Sequence, residues 1–221
     1  FSSGAALEMN NFTNYQNATK SGYKFEDQTG NGETADDYAF PLEDWTIYVD
    51  LNGNGMLDAG EPFDLTDGTG YYLIEDIPLG DFKVREVMPD SSWICSGPSP
   101  DCWYAESFSS GAALEMNNFT NYQNATKCGM KFDDKNADGY KDIGEPGVGG
   151  IEIELWGVDA GGAPVGPLAV TTTAGDGTYC FEDLLTPGVE YYVTENLTQA
   201  GSLGWTQTYP NVGFPCSLDK I

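Results

Sequence analysis

The stretch FSSGAALEMNNFTNYQNATK occurs twice, at Phe1–Lys20 and at Phe108–Lys127, without one mismatch. Two bodies follow the copies, at 21–107 and 128–221, and they resemble each other only loosely. The order is a strand or linker segment at 1–20, a domain at 21–107, a linker at 108–127 that can add a strand to the first domain, and a second domain at 128–221. Connecting segments normally diverge faster than the cores they join, and here the order is reversed. Recent duplication produces that result. So does a segment that must fit the same groove twice. An internal repeat restricts the architecture before any local pattern is read.

Within the bodies the pattern is short strands between turns. WTIYVD alternates apolar and polar residues and is rich in β-branched and aromatic types, as a half-buried strand requires. GYKFED, YYLIEDI and FKVREV follow suit, with turns at DGTG and PLGD. Body two repeats the theme in GMKFDD, IEIELWG, LAVTTT, TYCFEDL and EYYVTEN. No segment shows a helical period. The expectation is an all-β chain of two tandem β-sandwich domains, which 221 residues can accommodate.

Charge narrows the function. The formal net charge is −26, from 35 acidic and 9 basic residues, with no histidine. Phosphate binding needs a basic surface, so nucleic acid and anionic membranes are excluded as partners. The usual general base near neutral pH is missing, as is the commonest metal ligand. Acidic, oxygen-rich loops suit a hard cation such as calcium. No apolar run reaches the length of a membrane span. The chain begins without a basic and apolar leader, as a processed secreted protein would.

Two stretches fit the twelve-residue calcium loop at every specified position. In the first, Asp50, Asn52 and Asn54 offer side-chain oxygens, Gly55 permits the sharp turn, Met56 offers its carbonyl, Asp58 holds position nine and Glu61 closes the shell. In the second the same roles fall to Asp134, Asn136, Asp138, Gly139, Tyr140, Asp142 and Glu145. Strands flank both loops, so neither is an EF-hand. The stretch Asp27–Asp37 reads as a worn copy of the Asp134 loop, with Thr29 where Asp or Asn is expected. Val158–Pro167 has lost the counterpart of the Asp50 loop. An ancestral domain with both loops, followed by complementary loss, accounts for the pattern. Five N-x-S/T sequons, at Asn11, Asn17, Asn118, Asn124 and Asn196, mark acceptors for covalent N-linked glycans.

The runs KFDDKNADGYKDIGEPGVGG, WTIYVDLNGNGMLDAGEP, DGTGYYLIEDIPLG to VREV, and GWTQTYP resemble the SdrD B-like repeats of bacterial surface proteins, relatives of the Cna B-type domains of Gram-positive adhesins and pili. The resemblance covers both bodies, a tandem pair. It implies seven-stranded prealbumin-like (Ig-like) sandwiches stacked into a calcium-stiffened extracellular rod, without catalysis. Some relatives form an isopeptide between a first-strand lysine and a last-strand Asn or Asp beside a buried glutamate. By position Lys24 and Lys131 match the lysine and Glu86 and Glu195 the glutamate. Asp219 is the candidate partner in body two, and Ala105 stands near that place in body one. Cysteines fit an oxidising location. Cys95 and Cys102 bracket a turn and form a natural local pair. If first and last strands run parallel, as the family implies, Cys128 and Cys216 pair and Cys180 is left over.

The expected function is therefore a structural subunit of a glycosylated, two-calcium extracellular or cell-surface filament. Its partner is a second copy, joined head to tail through the repeated segment, whose apolar half FSSGAALEM can add as a strand to a sheet edge. The competing account is a longer covalent repeat with peptide-bonded joints. An adhesin that meets glycans or a host surface through Trp93, Trp103 and Trp205 is the alternative. A glycosidase would need two carboxylates set across a cleft, and the acidic clusters here already belong to cation loops.

Overall fold

The computed structural model describes residues 11–159 and 161–209 and the backbone of Asp219–Lys220. In chain order the strands are β1 (Ala18–Glu26), β2 (Thr46–Asp50), β3 (Phe63–Leu65), β4 (Tyr71–Ile77), β5 (Gly80–Val87), β6 (Trp93–Gly97), β7 (Trp103–Phe108), β8 (Ala113–Leu114), β9 (Phe119–Gln123), β10 (Ala125–Met130), β11 (Glu152–Val158), β12 (Pro164–Thr172), β13 (Thr178–Leu185), β14 (Glu190–Glu195) and β15 (Asp219–Lys220), with one short helix, α1 (Leu197–Ser202). The chain divides into two compact units. The first holds the chain up to Phe25, Pro41–Pro89 and Pro100–Phe119; the second holds Glu26–Phe40, Asp90–Ser99 and the chain from Thr120 on.

In the first unit β1 runs antiparallel to β4 and parallel to β8, while β3, β2, β5 and β7 form an antiparallel sheet in that order. Alternation along YYLIEDI sends Tyr72 and Ile74 inward, and a break in the alternation at Asp76 (φ 56°) turns Ile77 inward as well. They meet Ile47 and Val49 of β2, Val84 of β5 and Ala18 of β1 in one buried apolar cluster drawn from both sheets, the arrangement of a β-sandwich. Phe108 and Phe119, both from the second copy of the repeated segment, belong to this cluster. At about 1.5–3 kcal/mol for each fully buried large apolar side chain, that segment contributes directly to the fold.

The second unit repeats the plan. β10 pairs antiparallel with β13, and β12, β11, β14 and β15 form a sheet in that order. Ile153, Leu155, Phe181, Leu185 and Val193 make the core, with Ala200 of α1. Both β1–β4 and β10–β13 shift register at the same place, between the Ala and Lys of the shared ATK. The segment Glu26–Phe40 lies in this unit because its backbone rests on Thr186–Gly188; a Cβ on Gly188 would stand 2.1 Å from the Thr29 carbonyl oxygen. β6 joins through antiparallel pairing with β9. Sequential boundaries at 107 and 128 therefore do not coincide with the compact units. The helix is a departure from the all-strand expectation. Asn196 caps it by accepting the Gln199 amide (3.1 Å), an N-x-x-Q signal that the overlapping sequon concealed. No helix among the described residues is long and apolar enough to cross a membrane.

Candidate functional site

The two predicted loops share one hydrogen-bond scheme. The Gly55 and Gly139 amides donate to the Oδ2 atoms of Asp50 and Asp134 at 3.0 and 2.9 Å. Both glycines sit at positive φ, 78° and 82°, where other L residues are strained. The closing carboxylates match as well. Glu61 accepts from the amides of Leu51 (2.8 Å) and Asp58 (3.0 Å), and Glu145 from those of Lys135 (2.9 Å) and Asp142 (3.0 Å). Asn52 and Asn54 donate to Asp58 Oδ2 and hold its carboxyl below the usual carboxylate range. Asn136 donates to both Asp138 and Asp142. Met56 and Tyr140 carry exposed side chains, leaving the carbonyl as the group each can contribute. Among the described residues no three acidic, Cys or His side chains converge as a preformed metal cage. The donor set is nonetheless all oxygen, mixing carboxylates with amide and backbone carbonyls, and that chemistry fits Ca²⁺.

The loops differ in their neighbours. Arg85 Nε lies 2.8 Å from Asp50 Oδ2, a cation already set against the first ligand position of the first loop. In the second loop the Thr208 hydroxyl donates to Asp134 Oδ2 at 2.7 Å and lowers the Asp134 pKa. In Glu26–Phe40, burial pushes the Asp37 carboxyl up to about 6 against the Gln28 amide that stabilises its charge, and Asp27, Asp36 and Glu26 push it the same way as burial. Asp27 is held low despite its own burial, by the Ser96 hydroxyl and the amides of Gly32, Thr29 and Gly30.

The lysine–glutamate pairs expected from the resemblance are present. Lys24 Nζ stands 3.1 Å from Glu86 Oε2 with both side chains buried, and 4.2 Å from the Trp45 ring centroid. Lys131 Nζ stands 3.0 Å from Glu195 Oε2, and this pair is less enclosed. Asp219 lies opposite Tyr191. That is four residues along β14 from Glu195, about 13 Å at strand rise, so the register does not bring Asp219 to the pair. A third pair was not visible in the sequence. Lys20 Nζ is buried 2.9 Å from Glu106 Oε1, and Asn117 Nδ2 donates to the same oxygen at 2.8 Å. Lys20 and Asn117 belong to different copies of the repeated segment.

The copies occupy opposite environments. In the second, Phe119 and Thr120 have no exposed surface, the Asn117 carbonyl accepts from the Tyr72 hydroxyl (2.7 Å), and Asn118 Oδ1 accepts from the Tyr23 amide (3.0 Å). Gly22 permits this approach, since a Cβ there would stand 2.0 Å from the Asn117 carbonyl oxygen. In the first copy Phe12 is 91% exposed and Tyr15 62%. Residues 1–10, including most of FSSGAALEMN, lie outside the described residues.

The sequons divide in the same way. Asn11 and Asn17 are exposed. Asn118 is tied to Tyr23, Asn124 Nδ2 donates to the Asp183 carbonyl, and Asn196 Nδ2 donates to Glu152. Cys128 is bonded to Cys180, not to Cys216. The cause is the antiparallel β10–β13 register, which sets Cys128 and Cys180 directly opposite each other. Cys95 and Cys102 are also disulfide-bonded; Cys216 lies outside the described residues. Trp93, Trp103 and Trp205 are half-buried rather than exposed platforms. Lys83 covers the Trp103 ring at 4.0 Å, and Trp205 packs on the second core.

Residues 129–219 match the SdrD B-like domain. No curated protein matches the chain. Among solved structures, the Streptococcal ancillary pilin is 16% identical, with 95% of this chain and 61% of that one covered and a TM-score of 0.40. The Bacillus anthracis TIE protein is 13% identical, with 82% of this chain and 28% of that one covered and a TM-score of 0.36. The shaft pilin SpaA from Lactobacillus rhamnosus GG is 12% identical, with 83% and 88% covered and a TM-score of 0.31. The chain thus spans well under two thirds of the TIE protein and somewhat under two thirds of the ancillary pilin.

Proposed function

We propose that this chain, which carries an SdrD B-like domain over residues 129–219, is a structural subunit of an extracellular or cell-surface filament, joined head to tail through the repeated segment and stiffened by calcium at Asp50–Glu61 and Asp134–Glu145. One observation carries the reading: identical residues are sealed into a core in the second copy and exposed in the first. Among the described residues the second unit has no strand in the place that β9 takes beside β1, which supports the reading. β10 repeats β1 as ATKCGMKF for ATKSGYKF. Among the described residues β10 pairs only with β13, and Met130 is exposed where its counterpart Tyr23 is half-buried.

A neighbouring copy would lay Phe12–Gln16 along β10, its Asn10 backbone over Gly129 and its Asn11 side chain on the Met130 amide. Asn117 and Asn118 make those contacts at Gly22 and Tyr23. The donated strand is then FTNYQ, the β9 sequence, with the FSSGAALEM half flanking it. The contact is heterologous and does not close, so it propagates. Asn11 is consumed by the joint, which puts the sugar on Asn17. Each bound Ca²⁺ offsets part of the self-repulsion of a chain with net charge −26 and stabilises by linkage. Sedimentation of the chain lacking residues 1–15 tests the joint: a folded monomer is expected, and polymers as long as those of the full chain refute the donated strand.

A further inference from the structure

The outer face of β11 and β14, in the second unit, carries residues that neither the filament joint nor the cation loops use. Ile153 and Leu155 point into the second core, so Glu152, Glu154 and Trp156 take the opposite face of the sheet. The antiparallel register sets Trp156 opposite Tyr192 and Glu154 opposite Thr194. One row on, the Asn196 amide donates to the Glu152 carbonyl at 2.9 Å. One face therefore bears an aromatic row, then a carboxylate and a hydroxyl, then the asparagine of the Asn196-Leu197-Thr198 sequon.

The Trp156 and Tyr192 ring planes lie 7° apart with centroids 6.2 Å from each other, and both rings are half-buried. Trp156 Nε1 donates to Glu154 Oε2 at 3.1 Å, which orients the indole and sets a carboxylate beside it. The first unit keeps the same register with other residues. Ile47 opposes Glu86 as Ile153 opposes Glu195, and Asp50 opposes Lys83 where Trp156 opposes Tyr192. A charged pair is thus replaced by two near-parallel rings. The electron-rich face of such a ring attracts the weakly positive C–H groups on one side of a pyranose, and flanking carboxylate and hydroxyl groups hydrogen-bond its hydroxyls. A net charge of −26 favours a neutral sugar over an acidic one. Tyr192 lies four residues along β14 from Asn196, about 13 Å at strand rise, a span that a short oligosaccharide covers. Asn196 can carry one without losing its contacts. One Nδ2 hydrogen donates to Glu152 and Oδ1 caps α1, so the other Nδ2 hydrogen is the one a sugar replaces.

We propose that Trp156, Tyr192, Glu154 and Thr194 form a saccharide-binding face, and that its occupant is the neutral N-linked glycan of Asn196, folded back along β14 onto the two rings. Attachment joins C1 of a pyrophosphate-activated sugar to Asn196 Nδ2 and releases the pyrophosphate and one Nδ2 proton. The site rests on the Asn196 sequon and is independent of the head-to-tail joint and of calcium.

Hydroxyl-radical footprinting of the native chain, read by peptide mass spectrometry, tests both halves. The mapping should return Asn196 with its sugar, and Trp156 and Tyr192 protected from oxidation. Thr198→Ala deletes the sequon at an exposed position and leaves Asn196 in place. Oxidation of both rings should then rise several-fold, while Trp103 in the first unit stays unchanged. Glycosidase trimming of the sugar on the wild-type chain should give the same rise, and it keeps the test open if Thr198→Ala does not fold. A bare Asn196 overturns the proposal at its sequon. Sugar on Asn196 whose removal leaves ring oxidation unchanged overturns the saccharide site, and the filament reading stands either way.

Discussion

Phe119 has no exposed surface and Phe12 is 91% exposed, although the two are the same residue of one twenty-residue segment. Phe119 packs with Tyr72 and edge-on to Tyr104 (5.2 Å between centroids) in the first core. Phe119→Ala should cost about 3–5 kcal/mol. Phe12→Ala should leave monomer stability within about 0.5 kcal/mol of wild type and abolish end-to-end association. Urea denaturation and sedimentation velocity on both variants measure the two effects.

Calcium removal should lower the melting temperature, and the two loops should not count equally. The Asp134 loop carries four carboxylates, Asp134, Asp138, Asp142 and Glu145, against Asp50, Asp58 and Glu61 in the other. Arg85 beside Asp50 repels an incoming cation. Asp134→Ala should therefore lose more calcium-dependent stabilisation than Asp50→Ala. Calorimetric melts with and without chelator decide the order.

Lys24 is paired to Glu86 with both side chains out of solvent. Lys24→Ala leaves Glu86 buried without its ammonium partner and should cost about 3–5 kcal/mol. Lys24→Met combined with Glu86→Leu should cost less than the sum of the single changes. Lys20→Ala should cost less than Lys24→Ala, because Glu106 is partly exposed and can rehydrate. Denaturant midpoints across the set provide the measurement.

The Cys128–Cys180 bond closes a span of 52 residues. Replacing both cysteines with serine should destabilise the second unit by about 4 kcal/mol on the chain-entropy account. Non-reducing peptide mapping should return Cys128 with Cys180; a Cys128–Cys216 peptide contradicts the assignment.

What the sequence disclosed follows from how local each signal is. Alternation in YYLIE marked β4, because one-sided burial imposes a period of two there, whereas TIYVD was legible by its β-branched and aromatic residues and is buried on both faces from Ile47 to Asp50. The common hydrogen-bond scheme of Asp50–Glu61 and Asp134–Glu145 was legible because each set of partners lies within twelve residues. The partner of Cys128 depended on strand pairing, and a family-based expectation of parallel first and last strands pointed to Cys216. The β10–β13 register points to Cys180. Lys20 and Asn117 meet at Glu106 across nearly a hundred positions, a juxtaposition that no spacing encodes. The mixing of Glu26–Phe40 and Asp90–Ser99 into the second unit is likewise a tertiary fact.

The proposed head-to-tail joint is tested most directly by supplying the segment in trans. The chain lacking residues 1–15 keeps Gln16, whose carbonyl accepts the Gly111 amide, and retains β10. A synthetic peptide FSSGAALEMNNFTNYQ is added, and hydrogen exchange is followed along Ala125–Met130. The account predicts one peptide per chain and slowed exchange at the β10 amides, with no protection from a peptide in which the Phe12 position is alanine. Unchanged exchange along β10 at saturating peptide would contradict it.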